Sequence, residues 1–143
     1  MREPPPIFET GLMIKRLQAR HHRAADLALA EVGVSLVQWD ALRHLSENPG
    51  ASLHDLAVLT FQTDQSMGTL AGRIEARGLI ERVPGPGRAV RHRVTPDGER
   101  IRESGARVLY RVLTESFAPL SPPELAAFDG LLRKLLAADG SEA

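Results

Sequence analysis

The sequence contains no cysteine, few aromatic residues and no long apolar run. Without cysteine the chain forms no disulfide and offers no thiolate to a metal or redox site. No apolar run approaches the roughly 20 residues of a membrane-spanning helix, and the first residues form no hydrophobic secretory region. We therefore expect a cytoplasmic protein that does not associate with a membrane.

The chain also has no net charge, because 18 basic side chains balance 18 acidic ones, but these charges are unevenly placed. Residues 62–95 contain six arginines against three acidic residues. A locally positive surface attracts nucleic acid even when the whole chain is neutral. A solvated hairpin would also explain the cluster, since arginine is abundant throughout the chain. The length of 143 residues indicates a single domain, residues 1–143.

The clearest local pattern lies in residues 52–95 and begins with two short helices. Ser52 and Thr63 are typical N-caps, and each precedes apolar residues at three- and four-residue spacing. Gly78 is expected to end the second helix, because glycine adopts the left-handed conformation common at helix ends. These features predict a helix-turn-helix.

A hairpin is predicted directly after the second helix. Residues 79–83 and 89–94 are compatible with strands, and Gly85-Pro86-Gly87-Arg88 lies between them. Pro86 and Gly87 suit a type II turn. Proline fixes φ at the second position of such a turn, and glycine accepts the positive φ of its third position. Residues 35–95 therefore predict a winged helix-turn-helix.

Longer helices are predicted on both sides of this module, at residues 7–31 and 96–138. Within 96–138, Thr95 before Pro96 starts one helix, and Ser121 before Pro122, Pro123 and Glu124 starts the last. The Ser35 and Gln38 capping box opens a helix inside the winged module, to about residue 48. Together the helices of 7–31 and 96–138 hold more apolar surface than so small a core needs. We therefore predict a mainly α fold with a small β-hairpin, in which 7–31 and 96–138 form a symmetric homodimer. A monomer whose helices pack only on their own domain is the alternative.

These residues resemble the MarR family of bacterial transcription regulators. The segment from Glu75 to Arg82 is similar to the family's LEARGLVER segment almost residue for residue, and residues 95–98 resemble the LTPAG that opens its next helix. The family usually has Asp-x-Arg at the wing tip, whereas this chain has Pro86-Gly87-Arg88 and so keeps the arginine without the acid. The resemblance implies a dimeric repressor that responds to a small molecule. The absence of cysteine excludes the thiol-based peroxide sensing of some members.

A helix-turn-helix places the first residues of its second helix at base edges in the major groove. Gln65 is suited to pair with adenine, and Asp64 is either a helix-start acid or an acceptor for a cytosine amino group. Arg88 is expected in the minor groove, with Arg73 and Arg91 at phosphates. A symmetric dimer would bind a pseudo-palindromic operator in double-stranded DNA. The predicted DNA contacts are Thr63, Asp64, Gln65, Ser66, Thr69, Arg73, Arg88 and Arg91.

Three further positions in this region leave alternatives open. Gly68 and Gly72 weaken their helix by about 1 kcal/mol each relative to alanine. They serve either close packing against the preceding helix or close approach to the DNA backbone. Strand alternation places His92 on the face of Val90 and Val94, so we favour an inward-packed His92 over a DNA contact.

No motif of an enzyme, a metal site or a cofactor is present. The sequence has no phosphate-binding glycine loop or nucleophile elbow, and its five histidines lack the spacing of a closed metal site. The resemblance implies a ligand between the dimerisation helices and the winged core, where His21 or His22, Trp39 and Arg43 would lie. For Trp39 a plain role as a core anchor is favoured.

Two functions from different classes remain. The first is a DNA-binding transcription regulator modulated by a small molecule. The second is a winged-helix scaffold for protein–protein contact, with weak or no DNA binding. The polar run of residues 63–66 together with Arg88 favours the first.

Overall fold

The structure is a computed structural model that describes residues 3–85 and 87–138. The elements follow the chain as α1 Ile7–Ala30, α2 Leu36–Glu47, α3 Leu53–Leu59, α4 Asp64–Ala76, β1 Ile80–Arg82, β2 His92–Val94, α5 Pro96–Phe117 and α6 Pro122–Ala137. The predicted mainly α fold with one small hairpin is confirmed. No helix in the described part of the chain is long and apolar enough to cross a membrane.

The helix starts are set by hydroxyl caps. The side-chain oxygens of Ser35, Ser52, Thr63, Thr95 and Ser121 each accept a hydrogen bond from the backbone N–H three residues ahead. Each cap satisfies one of the amides that a helix start leaves unpaired, a contribution of about 1 kcal/mol. All five caps agree with the sequence prediction.

The hairpin is antiparallel and shorter than predicted. Ile80 pairs with Val94 and Arg82 with His92, so the strands cover residues 80–82 and 92–94 rather than 79–83 and 89–94. The reason is that the second strand has another partner: the N–H of Leu53 donates to the carbonyl of Val90 at 3.1 Å, which draws this segment toward the start of α3.

At the wing tip, Gly87 has the positive φ of +82° that the third position of a type II turn requires. Pro86, on which the turn prediction also depends, lies outside the described residues.

One apolar core joins the winged module to the long helices. Its largest fully buried side chains are Leu29, Leu42, Leu56, Met67 and Ile74, contributed by α1 to α4. Trp39 packs at the edge of this core, and its Nε1 donates to the carbonyl of Arg102 in α5 at 2.9 Å. The structure therefore gives Trp39 the anchoring role favoured from the sequence.

The last helix, α6, contributes nothing to this core. None of its residues is buried, although Leu131, Leu132, Leu135 and Leu136 form an apolar stripe. A contact of 6.1 Å between the ring centroids of Phe117 and Phe128 joins α6 to α5. The apolar surface that the sequence assigns to the terminal helices is therefore left uncovered within one chain.

Candidate nucleic-acid interface

The second helix of the helix-turn-helix, α4, has one buried and one polar face. Met67, Leu70, Ala71 and Ile74 are buried, which fixes the rotation of the helix on the core. The opposite face exposes the predicted contact residues Thr63, Asp64, Gln65, Ser66, Thr69 and Arg73. Because the buried stripe is continuous, these polar side chains are presented together at one surface.

The first turn of α4 is held by local hydrogen bonds. The hydroxyl of Thr63 accepts from the N–H of Ser66 at 3.0 Å, and the hydroxyl of Thr69 donates to the carbonyl of Gln65 at 3.1 Å. Gln65 has no side-chain partner among the described residues. Its amide is therefore available to a base edge.

Asp64 does not stand alone at this surface. Its Oδ1 lies 2.9 Å from Nδ1 of His54 in α3. Asp64 raises the pKa of His54, first through this hydrogen bond and then through its charge. His54 was not among the site residues predicted from the sequence, because its separation of ten residues from Asp64 matches no motif within a single helix.

The wing presents its arginines differently. Arg88 is exposed and has no side-chain partner within residues 3–85 and 87–138. Arg91, also predicted to contact DNA, is half-buried, and its Nη1 donates to the carbonyl of Gly50 before α3. Arg93 pairs with Glu81 on the neighbouring strand. Arg88 is therefore open to DNA at the wing tip, while Arg91 ties the wing to the loop between α2 and α3.

His92 connects the wing to α4, the second helix of the helix-turn-helix. It is only 4% exposed, as the inward orientation favoured from the sequence requires. Its Nε2 lies 3.2 Å from Oε1 of Glu75 in α4, whereas its Nδ1 is buried without a hydrogen-bond partner among the described residues. A displacement of the wing would therefore disturb the contact between His92 and Glu75 of α4.

The two glycines of α4 face open space. A Cβ built at Gly68 or Gly72 would meet no atom within 4 Å. Close packing against the preceding helix therefore does not explain them.

Three of the four candidate ligand residues lie around a cavity of about 810 Å³ between α1, α2, α5 and α6. His21, His22 and Trp39 are in its lining, among mainly apolar side chains. Arg43 is not part of this lining: it stacks over the Trp39 ring at 5.7 Å and pairs with Asp40 at 2.8 Å. Nε2 of His21 lies 2.6 Å from the hydroxyl of Ser116, and burial followed by the charge of Arg20 lowers the pKa of His21.

Comparison with known proteins shows which proteins this arrangement is similar to. A sequence model of the MarR family matches residues 32–89, the segment from the end of α1 to the wing. The HTH-type transcriptional repressor Rv2887 of Mycobacterium tuberculosis is 28% identical over 127 residues, which cover 87% of this chain and 91% of the relative. In sequence, the winged module of this chain is thus similar to the MarR family, and most of the chain is similar to a transcriptional repressor.

Solved structures of a MarR-family relative match nearly the whole chain. The structure of Mycobacterium tuberculosis Rv2887 in complex with DNA has a TM-score of 0.75 and 25% identity, and covers 94% of this chain and 98% of that one. The structure of Rv2887 in complex with salicylic acid has a TM-score of 0.75 and 26% identity, with coverages of 94% and 97%. The winged-helix fold of the MarR family is thus shared from α1 to α6.

Proposed function

We propose that this protein is a dimeric, sequence-specific DNA-binding transcription regulator, a repressor whose DNA affinity a small molecule modulates. The observation that carries this proposal is the polar face of α4, which is exposed and held in one orientation by the buried stripe of Met67, Leu70, Ala71 and Ile74. A MarR-family relative of the same fold was solved with DNA, and its name describes a transcriptional repressor.

The recognition helix and the wing have separate tasks. The first turn of α4 enters the major groove, where Gln65 pairs with an adenine and Ser66 reaches a base or phosphate. Arg73, one turn further along, contacts phosphate. Arg88 enters the minor groove, where narrow A·T tracts attract arginine. Arg91 is better suited to hold the wing in place than to bind phosphate, because its guanidinium is engaged with Gly50.

A second copy of the chain covers the apolar surface of the terminal helices. The exposed large apolar residues include Ile7, Phe8, Tyr110, Leu113, Leu131 and Leu135, which lie on α1, α5 and α6. Monomeric proteins seldom expose so much apolar surface. A symmetric dimer presents two recognition helices, so its operator is a pseudo-palindrome with half-site centres about 34–36 Å apart.

A small molecule acts from the cavity between the dimerisation helices and the winged core. His21 and His22 in α1 and Trp39 in α2 line this cavity, so an occupant touches both parts of the molecule. A ligand that favours one spacing of the two recognition helices shifts the DNA-binding equilibrium. The size of the shift is set by the difference in the ligand's affinity for the DNA-binding and the non-binding spacing. The relative Rv2887 was solved with salicylic acid.

Footprinting tests this function on the DNA upstream of the protein's own gene. We expect protection of one short pseudo-palindromic segment that survives an excess of scrambled competitor DNA. The control is the same duplex with one half-site scrambled, which should lose most of the protection. Uniform protection removed by any competitor would favour the alternative, a winged-helix scaffold for protein–protein contact.

A further inference from the structure

The proposed recognition helix, α4, begins with an aspartate, close to where the phosphates of bound DNA would lie. Asp64 is the first residue of α4, and 70% of its side chain is exposed. The phosphate backbone dominates the affinity of most DNA-binding proteins and repels a free carboxylate. An uncompensated Asp64 would therefore oppose the binding proposed above.

His54 lies where it compensates this charge. It is the second residue of α3, 72% of its side chain is exposed, and its Nδ1 is 2.9 Å from Oδ1 of Asp64. The contact joins the two helices of the helix-turn-helix at the surface that faces DNA. Because Nδ1 serves the carboxylate, Nε2 remains to donate to a phosphate when the ring is protonated.

Two carboxylates act on this histidine. Asp64 comes from α4 and Asp55 from α3 itself, and Arg91 of the wing in turn acts on Asp55. Asp64 has the largest effect and raises the pKa of His54, and Asp55 raises this pKa further. Hydrogen bonds from Ser52 and the charge of Arg91 lower the pKa of Asp55. The surroundings of His54 therefore favour its protonated form.

We propose that His54 is a positioning residue of the DNA interface, which orients Asp64 at the start of α4 and offsets its negative charge beside the phosphates. This role rests on the proposed DNA binding. When His54 is protonated the pair is neutral, and when His54 loses its proton the pair carries one negative charge. The pKa of His54 is raised above its ordinary value of 6.5, so the change occurs as the pH rises through this higher pKa. DNA affinity falls over the same interval.

Fluorescence anisotropy at fixed ionic strength tests this role. The probes are a duplex that the wild-type protein has selected from random-sequence DNA and a scrambled duplex of the same composition. We expect the wild-type affinity to fall by about two- to fivefold per subunit as the pH rises through the titration of His54, the effect of one exposed charge pair. His54→Gln should remove this pH dependence. His54→Arg should keep the high affinity at the alkaline end, because arginine stays charged.

Two controls separate this role from a structural one. His44→Gln removes another histidine, which lies 3.6 Å from Asp40 on α2, and should keep the wild-type pH profile of DNA binding. NMR titration of the free protein should show that Asp64→Asn moves the pKa of His54 back toward 6.5. Thermal unfolding of each variant checks that the fold is intact.

The outcomes distinguish this inference from the proposed function. A wild-type pH profile in His54→Gln, or an unchanged His54 titration in Asp64→Asn, would overturn the role of His54 and leave DNA binding standing. Equal wild-type affinity for the selected and scrambled duplexes would overturn the proposed function, and the role of His54 with it.

Discussion

Gly105 of α5 lies directly against the indole of Trp39. A Cβ at Gly105 would be 2.4 Å from Cδ1 and 2.6 Å from Nε1 of Trp39, and 3.1 Å from Cδ2 of Leu29. The absence of a side chain at residue 105 is therefore what lets the indole reach the carbonyl of Arg102. This contact fixes α2, and with it the winged core, on the long helix α5.

Gly105→Ala is expected to destabilise the protein. The added methyl group must displace the indole or separate α2 from α5, and overpacking of this kind costs about 1–3 kcal/mol. Urea unfolding followed by tryptophan fluorescence measures the loss directly, since Trp39 is the single tryptophan. An unfolding free energy equal to that of the wild type would mean that α2 and α5 are not packed as described.

Gly72→Ala should separate stability from DNA binding. The position is helical and open, so alanine should stabilise the free protein by up to about 1 kcal/mol. If Gly72 instead serves close approach to the DNA backbone, the same substitution weakens binding to operator DNA. We expect a higher melting temperature together with a lower affinity. A variant that is both more stable and fully active would remove Gly72 from the interface.

Phe61 occupies a strained position at the turn between α3 and α4. Its φ is +57° and the residue is 96% exposed, so its ring contributes little packing to offset a backbone conformation that costs L-residues about 1–2 kcal/mol. Phe61→Asn should stabilise the protein, because asparagine tolerates this conformation better. Phe61→Ala is the control that keeps the strain. Equal melting temperatures for the two variants would argue against a backbone cause.

Leu132→Glu and Leu135→Glu together should convert the dimer into a folded monomer. Both residues lie on α6, which has no buried residue within the chain, so the winged core should keep its structure. Light scattering should give a mass twice the chain mass of 15.6 kDa for the wild type and one chain mass for the variant. Lys134→Glu is a control for added charge on the same helix. A monomeric wild type at micromolar concentration would refute the proposed dimer.

Features encoded within a few residues were predictable from the sequence. The caps at Ser35, Thr63 and Thr95 depend on the residue itself and the amide three residues ahead, so a local pattern contains the whole interaction. The apolar stripe of α6 likewise follows from helical spacing. These local patterns were sufficient to predict the fold, the position of the recognition helix and the uncovered apolar surface.

Contacts between distant segments were not predictable. Arg91 lies 41 residues from its partner Gly50, and the sequence offered no sign that this arginine would be engaged rather than free. The pair of His54 and Asp64 depends on how the turn orients α3 against α4. Arg43 was expected to line the ligand cavity but lies over the ring of Trp39. Trp39 and Asp40, its neighbours on α2, hold its guanidinium there.

In the proposed function, α4 reads bases while the wing reads the shape and charge of DNA. Affinities of the wild type, Gln65→Ala and Arg88→Ala for operator and scrambled duplexes across a salt series test it most directly. Gln65→Ala removes a base contact but no charge, whereas Arg88→Ala removes one cation from each subunit. The two variants should therefore fail in different ways.

We expect Gln65→Ala to lose about 1–3 kcal/mol on the operator and little on scrambled DNA, with the salt dependence unchanged. Arg88→Ala should weaken binding to both duplexes and reduce the slope of log affinity against log salt by about one unit per subunit. If both variants bind both duplexes with wild-type affinity and wild-type salt dependence, neither α4 nor the wing contacts DNA, and the proposed DNA-binding function is wrong.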